Sequence, residues 1–387
     1  MANDPAGLVD GLAELDRRAL RRTRRVLDSP QGARVREGGR TLANFSSNDY
    51  LGLANHPRLA EAARRAIDEF GVGAGASPLV SGQLRVHERA EERFAAFCAL
   101  PRALLFASGY AANLAVVATL CGRSAEVFLD RLDHASLVDG AVLSRARLVR
   151  YPHGDCDALA ARLAASRAAV RLVATDTVFS MDGDVADLPR LLALCERHDA
   201  WLLLDDAHGL GVLGPGGRGA LAHSGLSSPR IVYMATLGKA LGGYGAFVAG
   251  DSRLVEWLVQ RARPYIYSTA LPPMAAAVAI AALDLLEAEP ALVARLHQRI
   301  AQFRAACAAR AVDLAPSATA IQPVVVGEAS RALEASARLR ERGFLVPAIR
   351  PPTVPEGRSR LRVSLSAAHE SAEIAGLAIA LAESLAP

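Results

Sequence analysis

Lys239, in the stretch "ATLGKALGGYG", is the one lysine in a chain of 387 residues, and every other basic position among its 44 Lys and Arg is arginine. Arginine stays protonated in a folded protein, whereas burial can bring a lysine amine down until it acts as base or nucleophile. A lysine kept where arginine serves everywhere else points to an amine that must lose its proton. The chemistry open to it is a Schiff base with a carbonyl. The flanks argue against a surface lysine: "IVYMAT" is an apolar, β-branched run of strand type, and "LGKALGG" is too rich in glycine for an exposed helix.

Other reactive types fall where apolar runs stop. "AWLLLDDAHG" ends on Asp205 and Asp206, with His208 three residues beyond Asp205. "RIVYMATLGK" carries Thr236 just before Lys239, and "RLVATDTVFSMDGD" carries Asp176 and Ser180. A carboxylate at the end of a buried strand is costly unless a cation or donor partners it. "RALLFAS" leads into Gly109 and Tyr110 at the expected start of a helix, where backbone amides can take a phosphate. Lysine for an aldehyde, a carboxylate for a ring nitrogen, a helix start for a phosphate and hydroxyls for the remaining oxygens together match pyridoxal 5′-phosphate (PLP). His134, in "DRLDHAS", can stack on such a ring or carry a proton.

These groups need a scaffold that brings strand ends together. From about residue 58 the chain alternates helical patterns with short continuous apolar runs: "RALLFAS", "EVFLD", "RARLVRY", "VRLVATD", "AWLLLDD", "RIVYMAT" and "GAFVAG". That alternation predicts an α/β fold with a mainly parallel sheet covered by helices on both faces, and ligands sit beyond the carboxyl ends of such strands. After about 284 the pattern changes to a long helix, "AIQPVVVG", a helix, "FLVPAI", "SRLRVSLS" and a last helix, which predicts a smaller α+β domain. The expected division is an N-terminal helix and arm over 1–46, a large α/β domain over 47–283 and a small C-terminal α+β domain over 284–387. "TLANFSSNDYLGLANHP" reads as an ordered loop.

Composition sets the class. With 51% hydrophobic and 22% charged residues the chain is that of a soluble globular protein. No run reaches the length of a membrane span, since "AVAIAALDLL" is broken nearby by Asp284. The net charge of +4 is too small to argue for nucleic acid. "DRRALRRTRR" is a local basic cluster, expected to be a solvated helix face or a site for an anionic substrate. Asp4, Asp10, Glu14 and Asp16 precede it, which argues against a transit peptide. Five cysteines without metal-ligand spacing read as reduced thiols in a cytosolic protein with no metal.

The motifs "NFSSNDYLGL", "SGYAAN", "DRLDHASL", "FSMDGD", "DDAHGLGVLG", "TLGKALG", "IYST" and "AIRPPTVPEGRSRLRVSLSAAH" resemble the α-oxoamine synthases, acyltransferases among the fold-type-I PLP enzymes, in order from about residue 15 to the end. The closest branch implies a decarboxylative condensation of L-alanine with a pimeloyl thioester, carried on coenzyme A or acyl carrier protein. By the same resemblance, Lys239 carries the cofactor, Asp205 pairs with the ring nitrogen, His208 contacts the phenolic oxygen and His134 stacks on the ring. Ser180, Thr236 and the Gly109 and Tyr110 amides bind cofactor oxygens. Thr353 and an arginine of the first helix, Arg22 with Arg21 open, contact the substrate, and Arg350 takes a carboxylate. Asp176 stands where the family often has glutamate, and Tyr110 where phenylalanine is common. The resemblance also implies a cytoplasmic homodimer with its active site at the subunit interface. Glycine C-acetyltransferase, 5-aminolevulinate synthase and serine palmitoyltransferase share the lysine, aspartate and histidine. "DDAHGLG" and "AIRPPTVP" look more like the alanine-using branch.

Overall fold

The computed structural model describes residues 7–385. Asp4 of the acidic flank lies outside them. The chain forms two compact units: one takes in residues 49–180 and 184–295, the other the N-terminal residues through Asn48, Met181–Gly183 and Leu296 onward.

In the second unit the chain opens with helix Leu8–Arg17. This helix stops earlier than the basic cluster suggests. Ala19 takes the left-handed conformation at φ 54°, and its N–H and that of Leu20 turn back onto Asp16 O and Leu15 O. Arg21, Arg22, Arg24 and Arg25 therefore lie in irregular chain rather than on a helix face. A hairpin follows, β1 (Arg34–Glu37) against β2 (Arg40–Asn44). The first four residues of "TLANFSSNDYLGLANHP", expected as loop, are part of β2. Their alternation Leu42 in and Thr41 out was hidden by the turn formers that follow.

The larger unit is built on seven strands: β3 (Arg102–Phe106), β4 (Ala125–Asp130), β5 (Arg147–Tyr151), β6 (Val170–Asp176), β7 (Trp201–Asp205), β8 (Ile231–Thr236) and β9 (Ala246–Gly250). Their order is β3-β9-β8-β7-β6-β4-β5. Six strands run parallel, and β9 is antiparallel to both its neighbours. The reason is connection length. A parallel neighbour needs a crossover of a dozen or more residues, and the loop from β8 to β9 is too short for one. That tight loop carries Lys239. Strand–helix alternation elsewhere supplies the crossovers, and β4, β6, β7 and β8 are buried along almost their whole length. Leu104, Phe106, Val232 and Val248 pack with Ala115 and Val116 of helix Gly109–Leu120 in one core cluster. Each fully buried aliphatic side chain of this kind contributes about 1.5–3 kcal/mol. Among the described residues no helix is long and apolar enough to cross a membrane.

The remaining strands of the smaller unit are β10 (Ile321–Gly327), β11 (Phe344–Leu345), β12 (Ala348–Ile349) and β13 (Ser359–Ser364). The single strand expected over "FLVPAI" is two. Pro347 has no N–H to give a ladder, so β11 pairs with β2 and β12 with β13, in separate sheets. His369 ties the two ends of this unit together: its Nε2 is 3.0 Å from Asn44 O and its ring stacks on Phe45 at 3.9 Å.

Candidate active site

Parallel strands put their carboxyl ends on one sheet edge. The register sets Asp176 beside Asp205, Asp205 beside Met234, and Thr236 and Phe106 on either side of Ala246. Asp205 therefore closes β7 next to the strand whose exit leads to Lys239, with the exit of β3 toward Gly109 two strands further on, across β9.

The Lys239 loop is held by its own backbone. Leu237 N donates to Gly245 O, Gly242 N to Lys239 O and Gly243 N to Leu237 O. Gly242 has φ 65°, and a Cβ there would come within 2.5 Å of Ala54 N and Leu53 C. Gly242 is thus required by the turn and by close approach to residues 53–54, and Gly245 by its φ of 110°. Lys239 Nζ lies 2.9 Å from His208 Nε2, and His208 Nδ1 lies 2.7 Å from the Tyr50 hydroxyl. Tyr50 arrives on a turn in which the Asp49 carboxylate accepts from Leu53 N and Ala54 N.

Asp205 is buried and holds two donors: Ala207 N reaches Oδ1 at 3.0 Å and Asn113 Nδ2 reaches Oδ2 at 2.7 Å. Its neighbour Asp206 points the other way, as alternation along a strand demands. Asp206 is fully buried and accepts from Thr177 Oγ1, from Tyr233 Oη at 2.5 Å and from Ala220 N at 2.8 Å. Burial pushes its carboxyl up to about 6. Asp206 is a structural acid, and Asp205 is the one at the open edge.

His134 stands at the start of helix Ala135–Ser144, exposed on one side, with its N–H held by Asp176 Oδ1 at 3.3 Å. Partial desolvation holds its imidazole below the usual value, Asp205 opposing and Lys239 adding to that effect. Asp176, which closes β6 as the sequence suggested, is buried; burial, then the charges of Asp205 and Asp133, push it well up. It shapes the backbone under His134. Ser180 is half-buried just after β6. Thr236 Oγ1 donates to Gly245 O at 3.0 Å and accepts from Gly238 N at 3.4 Å, so its proton is engaged within the Lys239 loop.

Ser108 caps helix Gly109–Leu120 by accepting from Ala111 N. The Gly109 and Tyr110 amides donate to no group among the described residues. These are the free donors of a helix start. The Tyr110 hydroxyl bonds Asp139.

Three residues named from the sequence lie in the other unit and meet each other there. Arg22 Nη2 donates to Thr353 Oγ1 at 3.2 Å, and Arg350 Nη1 and Nη2 donate to Ala19 O and Arg21 O. Arg21 is engaged with Asp16 at 2.7 Å. Of the two arginines left open by the sequence, Arg22 is the one that reaches Thr353. Desolvation and then Arg22 lower the Arg350 guanidinium, a cost that an anion between the two would offset.

Asn113, Ser136 and Tyr50 were not singled out from the sequence. Asn113 had a signal: it is one amide inside the apolar helix "YAANLAVVATLC". Tyr50 had none, because its partner His208 is 158 positions away.

The donor set fits PLP. An amine stands beside a histidine, a buried carboxylate closes the adjacent strand, and two amides without acceptors open a helix on the same edge. The Cβ that Gly109 lacks would only touch Met234 and Thr236, at 3.5 Å or more, so the helix start packs closely on the strand that leads to Lys239.

The model of the aminotransferase class I and II family matches residues 40–381. The 8-amino-7-oxononanoate synthase of Methylococcus capsulatus is 54% identical over 386 residues, covering 100% of this chain and 99% of that protein. The serine palmitoyltransferase of S. paucimobilis, solved with bound PLP–myriocin aldimine, superposes with a TM-score of 0.92 at 28% identity, covering 98% of this chain and 96% of that one. An 8-amino-7-oxononanoate synthase from Francisella tularensis superposes with a TM-score of 0.77 at 32% identity, covering 88% and 97%.

Proposed function

The chain belongs to the aminotransferase class I and II family and, within it, to the 8-amino-7-oxononanoate synthases, PLP-dependent acyltransferases of biotin synthesis, and on that premise we propose that it condenses L-alanine with a pimeloyl thioester. The products are 8-amino-7-oxononanoate, carbon dioxide and the free thiol of coenzyme A or acyl carrier protein. The observation that carries this reading is the Lys239–His208–Tyr50 chain beside Asp205.

PLP, when bound, supplies an electron sink for the bond broken at the amino acid α-carbon. Lys239 would hold it covalently, with Asp205 at its ring nitrogen, His208 at its phenolic oxygen, and the Gly109 and Tyr110 amides with Ser180 and Thr236 at its other oxygens. His208 takes a hydrogen bond from the Lys239 amine and, with Nδ1 on Tyr50, stays fixed as that amine exchanges its proton. Asp205, buried and held by two donors, presents its carboxyl at the sheet edge already oriented, without reorganisation. His134 covers the site from the β4 side. Arg22 with Thr353 is our assignment for the polar far end of the acyl chain, and Arg350 for the alanine carboxylate.

We propose a cytoplasmic homodimer. Support comes from apolar side chains left in solvent: Leu8, Val9, Leu12 and Leu15 along the first helix, and Leu79 and Val80 at 50% and 78% exposure. Sedimentation of the purified protein tests the dimer.

The functional test is a matrix of alanine, glycine and serine against pimeloyl, acetyl, succinyl and palmitoyl thioesters, read by thiol release and product mass. Alanine with pimeloyl thioester is expected to lead. A site that hydrogen-bonds a polar terminus rejects chains lacking it far more strongly than an apolar slot rejects a missing methylene. Equal or better turnover of glycine with the acetyl thioester moves the protein to another branch.

A further inference from the structure

Asn113 is buried in helix Gly109–Leu120, and its amide joins two site residues on different elements. Nδ2 donates to Asp205 Oδ2 at 2.7 Å and to Ser136 Oγ at 2.8 Å. The orientation of the amide is fixed by its neighbours, because a carboxylate only accepts. Its Oδ1 is left buried without a partner. A buried polar atom without a partner is costly, so the two Nδ2 contacts are kept against that cost.

The bond directions then propagate. Ser136 Oγ accepts from Asn113 and lies 2.8 Å from His134 Nδ1, a nitrogen already accepting from the Ser136 backbone N–H at 3.3 Å, so the hydroxyl proton is the one that fits this contact. A ring nitrogen that receives two donors carries no proton, so the neutral His134 ring holds its proton on Nε2.

We infer that Asn113 is a positioning residue that aims the Asp205 carboxylate and, through Ser136, fixes His134 as the Nε2–H tautomer. His134 is then a neutral plate with one outward donor, and its Nδ1 is unavailable as a proton acceptor. The inference rests on the PLP site proposed above, but its first test reads the histidine itself and does not depend on turnover.

The experiment is nitrogen NMR of the histidine rings in full-length, 15N-labelled protein, with and without PLP, the His134 signals being assigned by their loss in His134→Asn. Wild type is expected to show a bare Nδ1 and a protonated Nε2. Ser136→Ala removes the hydroxyl donor and Asn113→Ala its organiser, so both are expected to shift His134 toward a tautomer mixture. Asn113→Ala is also expected to weaken equilibrium PLP binding by about tenfold or more, the scale of one lost hydrogen bond to a charged group. Ser136→Ala, which does not touch Asp205, should weaken it less, and it carries the test if Asn113→Ala does not fold. A wild-type His134 protonated on Nδ1 overturns the inference. So does an unchanged tautomer in both variants, or in Ser136→Ala alone if Asn113→Ala fails to fold.

Discussion

Lys239 Nζ and His208 Nε2 stand 2.9 Å apart, although the two residues come from different strand exits, those of β8 and β7. The register of these parallel strands creates the contact, and the tight turn into β9 holds the amine in it.

Replacing Lys239 with arginine is expected to leave the fold intact, because the positive charge and the loop glycines remain. The guanidinium cannot form an imine, so turnover falls below detection. Visible absorbance of the purified protein, and borohydride fixation followed by peptide mapping, check the prediction. Normal turnover in Lys239→Arg, or a fixed adduct elsewhere in wild type, would refute it.

Asp205→Asn and Asp206→Asn are expected to separate function from stability. The first removes a charge at the sheet edge and should cost about 3 kcal/mol in the rate, roughly a hundredfold or more, with little change in Tm. The second should leave chemistry largely intact but lower Tm, because Thr177, Tyr233 and Ala220 lose a charged acceptor in the core. Steady-state rates and thermal melts of both variants decide this. A reversed pattern would move the cofactor-pairing role to Asp206.

Arg22→Ala is expected to raise KM for the acyl thioester more than KM for alanine, and Arg350→Ala the reverse. Each effect is about 1.5–3 kcal/mol for one lost charge-assisted contact, or roughly tenfold to a hundredfold in KM. Parallel effects of the two variants on both substrates would show that the pair only supports the local chain.

Stability should fall on acidification through His369. Burial lowers its imidazole from 6.5 to about 4. Between those values the unfolded chain holds the extra proton, so this contribution is present above pH 6.5 and is lost as pH drops toward 4. The loss is limited to about 3 kcal/mol. His369→Asn should start from a lower Tm but show a shallower decline from pH 7 to pH 5. An equal slope in both proteins would exclude His369 as the sensitive group.

Residue type and local pattern carried the sequence reading a long way. A single lysine among arginines, carboxylates where apolar runs stop and glycines around the lysine are local signals. They depend on protonation chemistry and backbone freedom, which act within a few residues. The strand–helix alternation, likewise local, gave the α/β class. Three things were decided only in three dimensions. The direction of β9 followed from a connection too short to cross over. The different surroundings of Asp205 and Asp206 followed from which side of the chain leaving β7 met the core. The joining of Asn113, Ser136 and His134, and of Arg22 with Thr353, followed from packing between elements far apart in the chain. Hydrogen bonds across such separations leave no periodicity in the sequence, because their geometry exists only once the sheet has set the register of its strands.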